Sequence, residues 1–295
     1  MDVKKVDHLA KRIIQVMVGI VAVLLVLIIG YILVTGLPQE SIDFLFKPSQ
    51  AVKAGGGIRD QLWNSIYLLI LALLISIPLS LGAGIYLAEY APDNKLTHFI
   101  QTLIEILSSL PSIVVGLFGY LVLVIRFNMG FSILSGALTL TVFNLPLLTS
   151  NIENALRSVS DEQREGGLAL GLSRWQTIKG ILLPRTVPEI ITGVVLSSGR
   201  IFGEAAALIY TSGQSAPALN YLNWNPLSPE SPLNVMRPAE TLAVHIWKLN
   251  TEGLTIDADI VSAAASAVLI LVVLLFNILA HYLGNKLERK LTGGK

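Results

Sequence analysis

Cysteine is absent from the chain, which removes disulfide staples, thiolate zinc sites and cysteine nucleophiles together. Charge is scarce: 14% of the 295 residues are Asp, Glu, Lys or Arg, against about 25% in an ordinary soluble domain. Neither sign dominates, because 21 Lys and Arg face 20 Asp and Glu for a net charge of +1. No basic field therefore recruits nucleic acid. The four histidines, His8, His98, His245 and His281, are scattered and form no metal-ligand spacing such as HExxH. A G-x4-G-K-[ST] loop is also missing, so the chain binds no ATP by a P-loop. What the chain has in abundance is apolar sequence. Hydrophobic residues make up 53% of it and the mean hydropathy is +0.67, which leaves an integral membrane protein, and the helix-length apolar runs below make its expected class all-α.

A helix needs roughly 20 mainly apolar residues to cross the hydrocarbon core. Residues 13–34, 61–88, 106–125, 127–152 and 260–285 meet that requirement without Asp, Glu, Lys or Arg. A weaker stretch, 190–210, contains Arg200 and Glu204 and brings the expected count to six. The first stretch is too long for a signal-peptide core, and no small-x-small site follows it in Thr35-Gly36-Leu37-Pro38, so it reads as an uncleaved anchor. Six spans put both termini on one side. With them go Lys4, Lys5, Lys11, Arg12, Lys95, Arg157, Arg164, Arg174, Lys179, Arg185, Lys286, Arg289, Lys290 and Lys295; the other side holds Lys47, Lys53, Arg59, Arg126, Arg237 and Lys248. The positive-inside rule then makes the tails, 1–12 and 286–295, and the loop 150–188 cytoplasmic. Residues 35–60 and 211–259 become extracytoplasmic segments. Trp63, Trp224 and Trp247 belong either at the headgroup level or within the outer loop. Pro78, Pro111 and Pro146 predict kinks inside spans. Gly55-Gly56-Gly57 reads as a flexible outer turn rather than an anion-binding helix start.

The 150–188 loop carries the most specific pattern. Ser160-Asp161-Glu162-Gln163 and Ser173-Arg174-Trp175-Gln176 each fit a capping box. Gly171 stops the first helix, Trp175, Ile178 and Leu182 form an apolar stripe on the second, and Pro184 and Pro188 break it. Periodicity alone leaves an interfacial hairpin lying on the membrane as an equal alternative. The residue pattern goes further. Glu165-Gly166-Gly167, three residues, Gly171, nine residues, then Ile181-Leu182-Leu183-Pro184 resembles the EAA loop of ABC-importer permeases, the surface that docks into the ATPase subunit. Glycines stand at 166 and 167 where that family usually has alanines.

The flanking segments extend the likeness. Gly84-Ile85-Tyr86-Leu87-Ala88-Glu89-Tyr90-Ala91, Leu107-Ser108-Ser109-Leu110-Pro111-Ser112-Ile113-Val114, Ile191-Thr192-Gly193-Val194 and Gly199-Arg200-Ile201-Phe202-Gly203-Glu204-Ala205-Ala206 resemble the phosphate-uptake permeases of the PstA type, from about residue 55 onward. That resemblance implies a type I ABC importer (MetI-like) fold over 61–285 and a multi-pass place in a bacterial or archaeal plasma membrane. It implies a sister permease of the PstC type, ATPase subunits of the PstB type and an extracytoplasmic phosphate-binding protein of the PstS type as partners. This chain is then no enzyme and holds no cofactor, since ATP and Mg belong to the partner ATPase.

Arg200 and Glu204 carry a reading that needs no family. Counting about 1.5 Å per residue from Pro188 puts Arg200 near mid-membrane, where a charge is costly and faces protein or a water-filled cavity. Glu204 is expected one turn on and close enough to pair. Gly199 and Gly203 are expected to let another helix approach closely. A purely structural ion pair is one reading; a guanidinium presenting planar donors to phosphate oxygens is the favoured one. A self-sufficient secondary transporter would predict inverted repeats between the halves, and none is visible. An ABC permease for another oxyanion or small solute stays open as the runner-up.

Overall fold

Helices account for all the regular structure among the described residues, which in this computed structural model are 3–37, 42–50, 54–215, 217–253 and 256–291. Pro38, Lys53 and Lys295, on which the cleavage-site and orientation expectations partly rest, lie outside them. The order is α1 (Val3–Gly36), α2 (Ile42–Phe46), α3 (Arg59–Ile85) widening into a π turn at Tyr86–Tyr90, and α4 (Lys95–Ser109). Next come α5 (Ser112–Gly119) with a π turn at Tyr120–Arg126, α6 (Ile133–Arg157), α7 (Asp161–Ala169) and α8 (Arg174–Thr177). A third π turn at Ile178–Leu182 leads into α9 (Leu183–Phe202), followed by α10 (Ala206–Thr211), α11 (Leu242–Glu252) and α12 (Ala258–Leu291).

Five helical runs are long and apolar enough to cross a membrane: Asp7–Gly36, Arg59–Tyr90, Ile133–Arg157, Arg174–Phe202 and Ala258–Leu279. The third expected span is not one straight helix. Its two halves, α4 and α5, meet at 99°, and counting them as one broken span brings the number to six. Pro111 is the cause: it forces Leu110 out of the helical region, to φ −63° and ψ 138°. Pro78 and Pro146 sit within α3 and α6, and both helices run on past them.

The fifth expected span is displaced as well. Its helix begins at Arg174, runs through Pro184 and Pro188, and stops at Phe202, short of 210. Proline ordinarily collides with the carbonyl four residues back. Here the π turn bonds five back, Leu183 N–H to Ile178 O, and the wider turn accommodates Pro184. The Thr186 hydroxyl then donates to the Leu182 and Leu183 carbonyls.

Helix α3 packs along α6, α9 lies against both α6 and α12, and α1 touches α12, while most of its own length is exposed. One apolar core joins Leu68, Leu69 and Ala72 of α3 to Leu140 and Phe143 of α6, Ile201 and Phe202 of α9, and Ala264 and Ala265 of α12. A second, smaller core gathers Ile85, Ile152, Leu156, Val159, Ile178 and Leu182 beneath the 158–174 loop.

At the other end of the bundle, residues 217–241 fold back over the start of α3. Arg237, only 3% exposed, donates to Asn64 Oδ1 at 2.7 Å and to the Pro232 and Ser231 carbonyls. Burial lowers its pKa to about 10. Glu240 accepts from Gln61 Nε2 at 2.9 Å, and His245 Nδ1 lies 3.2 Å away. Burial alone would raise the Glu240 carboxyl, but His245, Gln61 and Lys248 together hold it below its ordinary range. Trp63 belongs to this outer lobe: its Nε1 donates to Pro232 O at 3.2 Å, and its ring meets those of Tyr67, Tyr221 and Trp224. The Gly55-Gly56-Gly57 turn is tied down rather than loose. Gly55 N–H bonds to Asp257 Oδ2 at 2.7 Å, and carbonyls at and just after the end of α2 take the donors at the start of α3, through Ile58 N–H to Phe44 O and Arg59 N–H to Lys47 O.

Candidate functional site

Two places collect the residues singled out from sequence, and the first is the 158–184 loop. Helix α7 ends where Gly171 takes φ +79°, a left-handed conformation that costs glycine little. Gly171 N–H bonds to Leu168 O at 2.9 Å and Leu172 N–H to Gly167 O at 3.2 Å, the paired bonds of a Schellman stop. The next helix starts at once. Ser173 Oγ accepts from Gln176 N–H, and Gln176 Oε1 accepts from Ser173 N–H at 2.8 Å, so this expected capping box is complete. The box expected at Ser160 does not form. Its hydroxyl makes no capping bond, and Gln163 N–H goes to the Ser160 backbone carbonyl instead.

The expected stripe divides. Ile178 and Leu182 are buried in the smaller core, while Trp175, at the capped helix start, stays exposed. Leu168 and Leu170 are exposed as well, the latter at 80%. Glu165, Gly166 and Gly171 lie on the surface, Ile181, Leu183 and Pro184 are half-buried, and Gly167 is buried. A Cβ on Gly167 would stand 2.7 Å from Thr177 Cγ2, so α7 lies on the following helix at a distance alanine would not permit. Gly166 has open space around it. The two glycines thus have different reasons to be there, which spacing could not reveal. The loop as a whole presents an exposed apolar set, Leu168, Leu170 and Trp175, beside the Glu165 carboxylate. Sequence reasoning missed Leu168 and Leu170, since an isolated leucine carries no local sign of exposure.

The second place is the end of α9. Arg200 is half-buried, and its guanidinium carbon lies 3.8 Å from the centroid of the Phe143 ring on α6. The expected Arg200–Glu204 pair is not formed. The helix stops at Phe202, with Gly203 at φ −88° and ψ 0°, so Glu204 is not one helical turn further on the same face. Its carboxylate instead accepts from Ala207 N–H at 3.1 Å, at the start of α10. Within the described residues of this chain, the unusually close helix approach expected at Gly199 and Gly203 does not occur. A Cβ at Gly199 would meet Val273 at an ordinary 3.5 Å, and one at Gly203 would meet only the Gly199 carbonyl of its own helix. On α6 and α9 the structure shows buried polar residues that no motif flagged. Asn144, beside Phe143, is fully buried with neither amide atom hydrogen-bonded, and Ser197, three residues before Arg200, is buried with a free hydroxyl. Helix α9 therefore ends in a guanidinium stacked on an aromatic ring rather than paired with a carboxylate.

Comparison with known proteins follows the same lines. Residues 80–293 match the family model described as binding-protein-dependent transport system inner membrane component. Over 292 residues, 99% of each chain, the sequence is 52% identical to the probable ABC transporter permease protein YqgI of Bacillus subtilis. It is 36% identical to the phosphate transport system permease protein PstA of Yersinia pestis, over 77% of this chain and 72% of that one. Among solved structures, a chain of a bacterial alginate ABC transporter superposes with a TM-score of 0.66 at 17% identity, covering 98% of this chain and 97% of that one. A chain of the inward-facing methionine transporter MetNI gives 0.57 at 16%, covering 78% and 94%. At those identities the superpositions speak for the fold alone.

Proposed function

The chain belongs to the binding-protein-dependent inner membrane components of ABC importers, and from that premise we propose that it is the PstA-type permease of an inorganic phosphate importer. Membership makes it a non-catalytic, multi-pass permease with the type I importer fold. A permease of this family operates with a sister permease, an ATPase and a binding protein. The observation that carries phosphate is the 36% identity to a PstA protein over three quarters of the chain. Arg200 supports it chemically: a planar guanidinium at the end of α9, stacked on Phe143, presents the donors an oxyanion takes.

In this reading the termini and the 158–184 loop face the cytoplasm, in keeping with the side richer in Lys and Arg. Glu165, Gly166, Gly167, Gly171, Ile181, Leu183 and Pro184 belong to the ATPase-docking loop, with Leu168, Leu170 and Trp175 as its apolar contact. Arg200, with Glu204, Gly199 and Gly203 around the end of α9, lies on the substrate pathway. PstC-, PstB- and PstS-type proteins are the specific partners.

The test is ATP-driven uptake by the reconstituted complex, loaded with its own binding protein and offered labelled phosphate or labelled sulfate. Phosphate accumulation that excess sulfate does not compete away supports the assignment. Accumulation of sulfate, with phosphate excluded, assigns the chain to another oxyanion.

A further inference from the structure

Three arginines from three elements converge on one five-residue turn. At the end of α6, Arg157 Nη2 donates to the Leu87 carbonyl at 3.1 Å. From α7, Arg164 Nε donates to Glu89 Oε1 at 2.9 Å. From α8, the Arg174 guanidinium lies 5.3 Å from the centroid of the Tyr90 ring. Leu87, Glu89 and Tyr90 all belong to the π turn that ends α3. Such turns recur at functional places in helices, because the widened backbone is locally less stable than the α-helix it interrupts.

The Glu89–Arg164 contact is the firmest of the three. Glu89 is 7% exposed, and Arg164 also donates through Nη1 to Val159 O at 2.6 Å and through Nη2 to Leu156 O at 2.5 Å. One guanidinium therefore bonds α7, the end of α6 and the end of α3. Separating the two leaves the buried Glu89 carboxylate without its partner, so the two elements favour moving together.

We propose that Glu89 is a positioning residue for transport: through its bond to Arg164, the Asp161–Arg174 loop and α3 move as one body. The proposal rests on that loop being the ATPase-docking surface. It adds a transmission point 76 residues before Glu165 in sequence, outside the docking pattern.

The cysteine-free chain makes the test clean. Nitroxide labels on Gly82→Cys in α3 and Glu162→Cys in α7, both exposed positions, report their separation in the full transporter with and without ATP. One narrow distance, unchanged by ATP, is expected with Glu89 intact. Adding Glu89→Gln broadens that distance when ATP binds, and phosphate moved per ATP hydrolysed falls by about tenfold, while assembly and hydrolysis persist. Glu89→Asp recovers part of the loss. An equally narrow distance in Glu89→Gln, or a wild-type distance that shifts with ATP, overturns the proposal. So does failure of both Glu89 variants to assemble, which makes the pair a folding element only. Gly171→Trp in parallel separates the two readings. If it leaves the ATPase bound and uptake intact, the docking assignment falls, and the label distances still judge the Glu89 link independently.

Discussion

Arg200 and Glu204 stand four residues apart and do different work. Arg200 leans on the Phe143 ring, a contact worth about 0.5–2 kcal/mol depending on desolvation. Its donors are not spent on a carboxylate. Glu204 holds the first turn of α10 through Ala207 N–H. The two side chains are therefore separable by substitution. Arg200→Gln is expected to assemble with its partners and hydrolyse ATP but to lower phosphate uptake by about 10- to 100-fold, the worth of one charge-assisted hydrogen bond. Arg200→Lys should recover little, since an ammonium keeps the charge without the planar fork. Glu204→Gln should transport near normally, because an amide oxygen still accepts from Ala207. Labelled-phosphate uptake in proteoliposomes checks all three, and near-normal transport by Arg200→Gln would return Arg200 to a packing role.

At the scale of elements, the 158–184 loop is held by local chemistry at each joint: a Schellman stop at Gly171, a capping box at Ser173, and a π turn ahead of Pro184. Adjacent glycines in α7 answer to different demands. Gly166 has open space beside it, so Gly166→Ala should raise stability by about 0.5–1 kcal/mol through helix propensity alone. Gly167→Ala gains the same propensity but drives its Cβ against Thr177, whose hydroxyl is tied to Ser173 O at 3.2 Å. It should therefore be destabilised by about 1–3 kcal/mol, as overpacked sites are. Thermal unfolding of the purified protein in detergent reads both; equal shifts for the two variants would mean that α7 does not sit on the following helix as described.

Across the whole molecule, the distribution of Lys and Arg and the two cores define opposite ends of the bundle. One end carries the 158–184 loop over the smaller core. The other carries the outer lobe, bound to α3 through Arg237, Asn64 and Glu240. Single cysteines in the cysteine-free chain should divide accordingly. Ser158→Cys, exposed beside the loop, is expected to be shielded from an impermeant thiol reagent in intact cells, and Glu230→Cys, exposed on the outer lobe, to be labelled. Labelling of Ser158→Cys from outside would invert the orientation and overturn the proposed ATPase-docking role of the loop.

The membrane-crossing character of the chain, its uneven distribution of charge and the punctuation of the loop at Gly171 and Ser173 were legible in the residues alone. Each depends on neighbours within a turn or two: a run of apolar side chains, a serine three residues from a glutamine, a glycine where φ turns positive. The third run, however, bends at Pro111, and the fifth is displaced to Arg174–Phe202. Several local expectations failed as well, among them the Ser160 cap, the Pro184 stop and the Arg200–Glu204 pair. Ser160 lost its capping role in a turn that Arg164 holds from Glu89, Leu156 and Val159, and Pro184 failed to stop a helix that a π turn had already widened. Tertiary structure alone decided what the charged residues meet. Arg200 lies over Phe143, Arg237 reaches Asn64 and Arg164 reaches Glu89, partners 57, 173 and 75 residues away. No periodicity encodes such pairings. They follow from which helix faces the packing of the whole bundle brings together, and from the cost of leaving a buried charge without a partner.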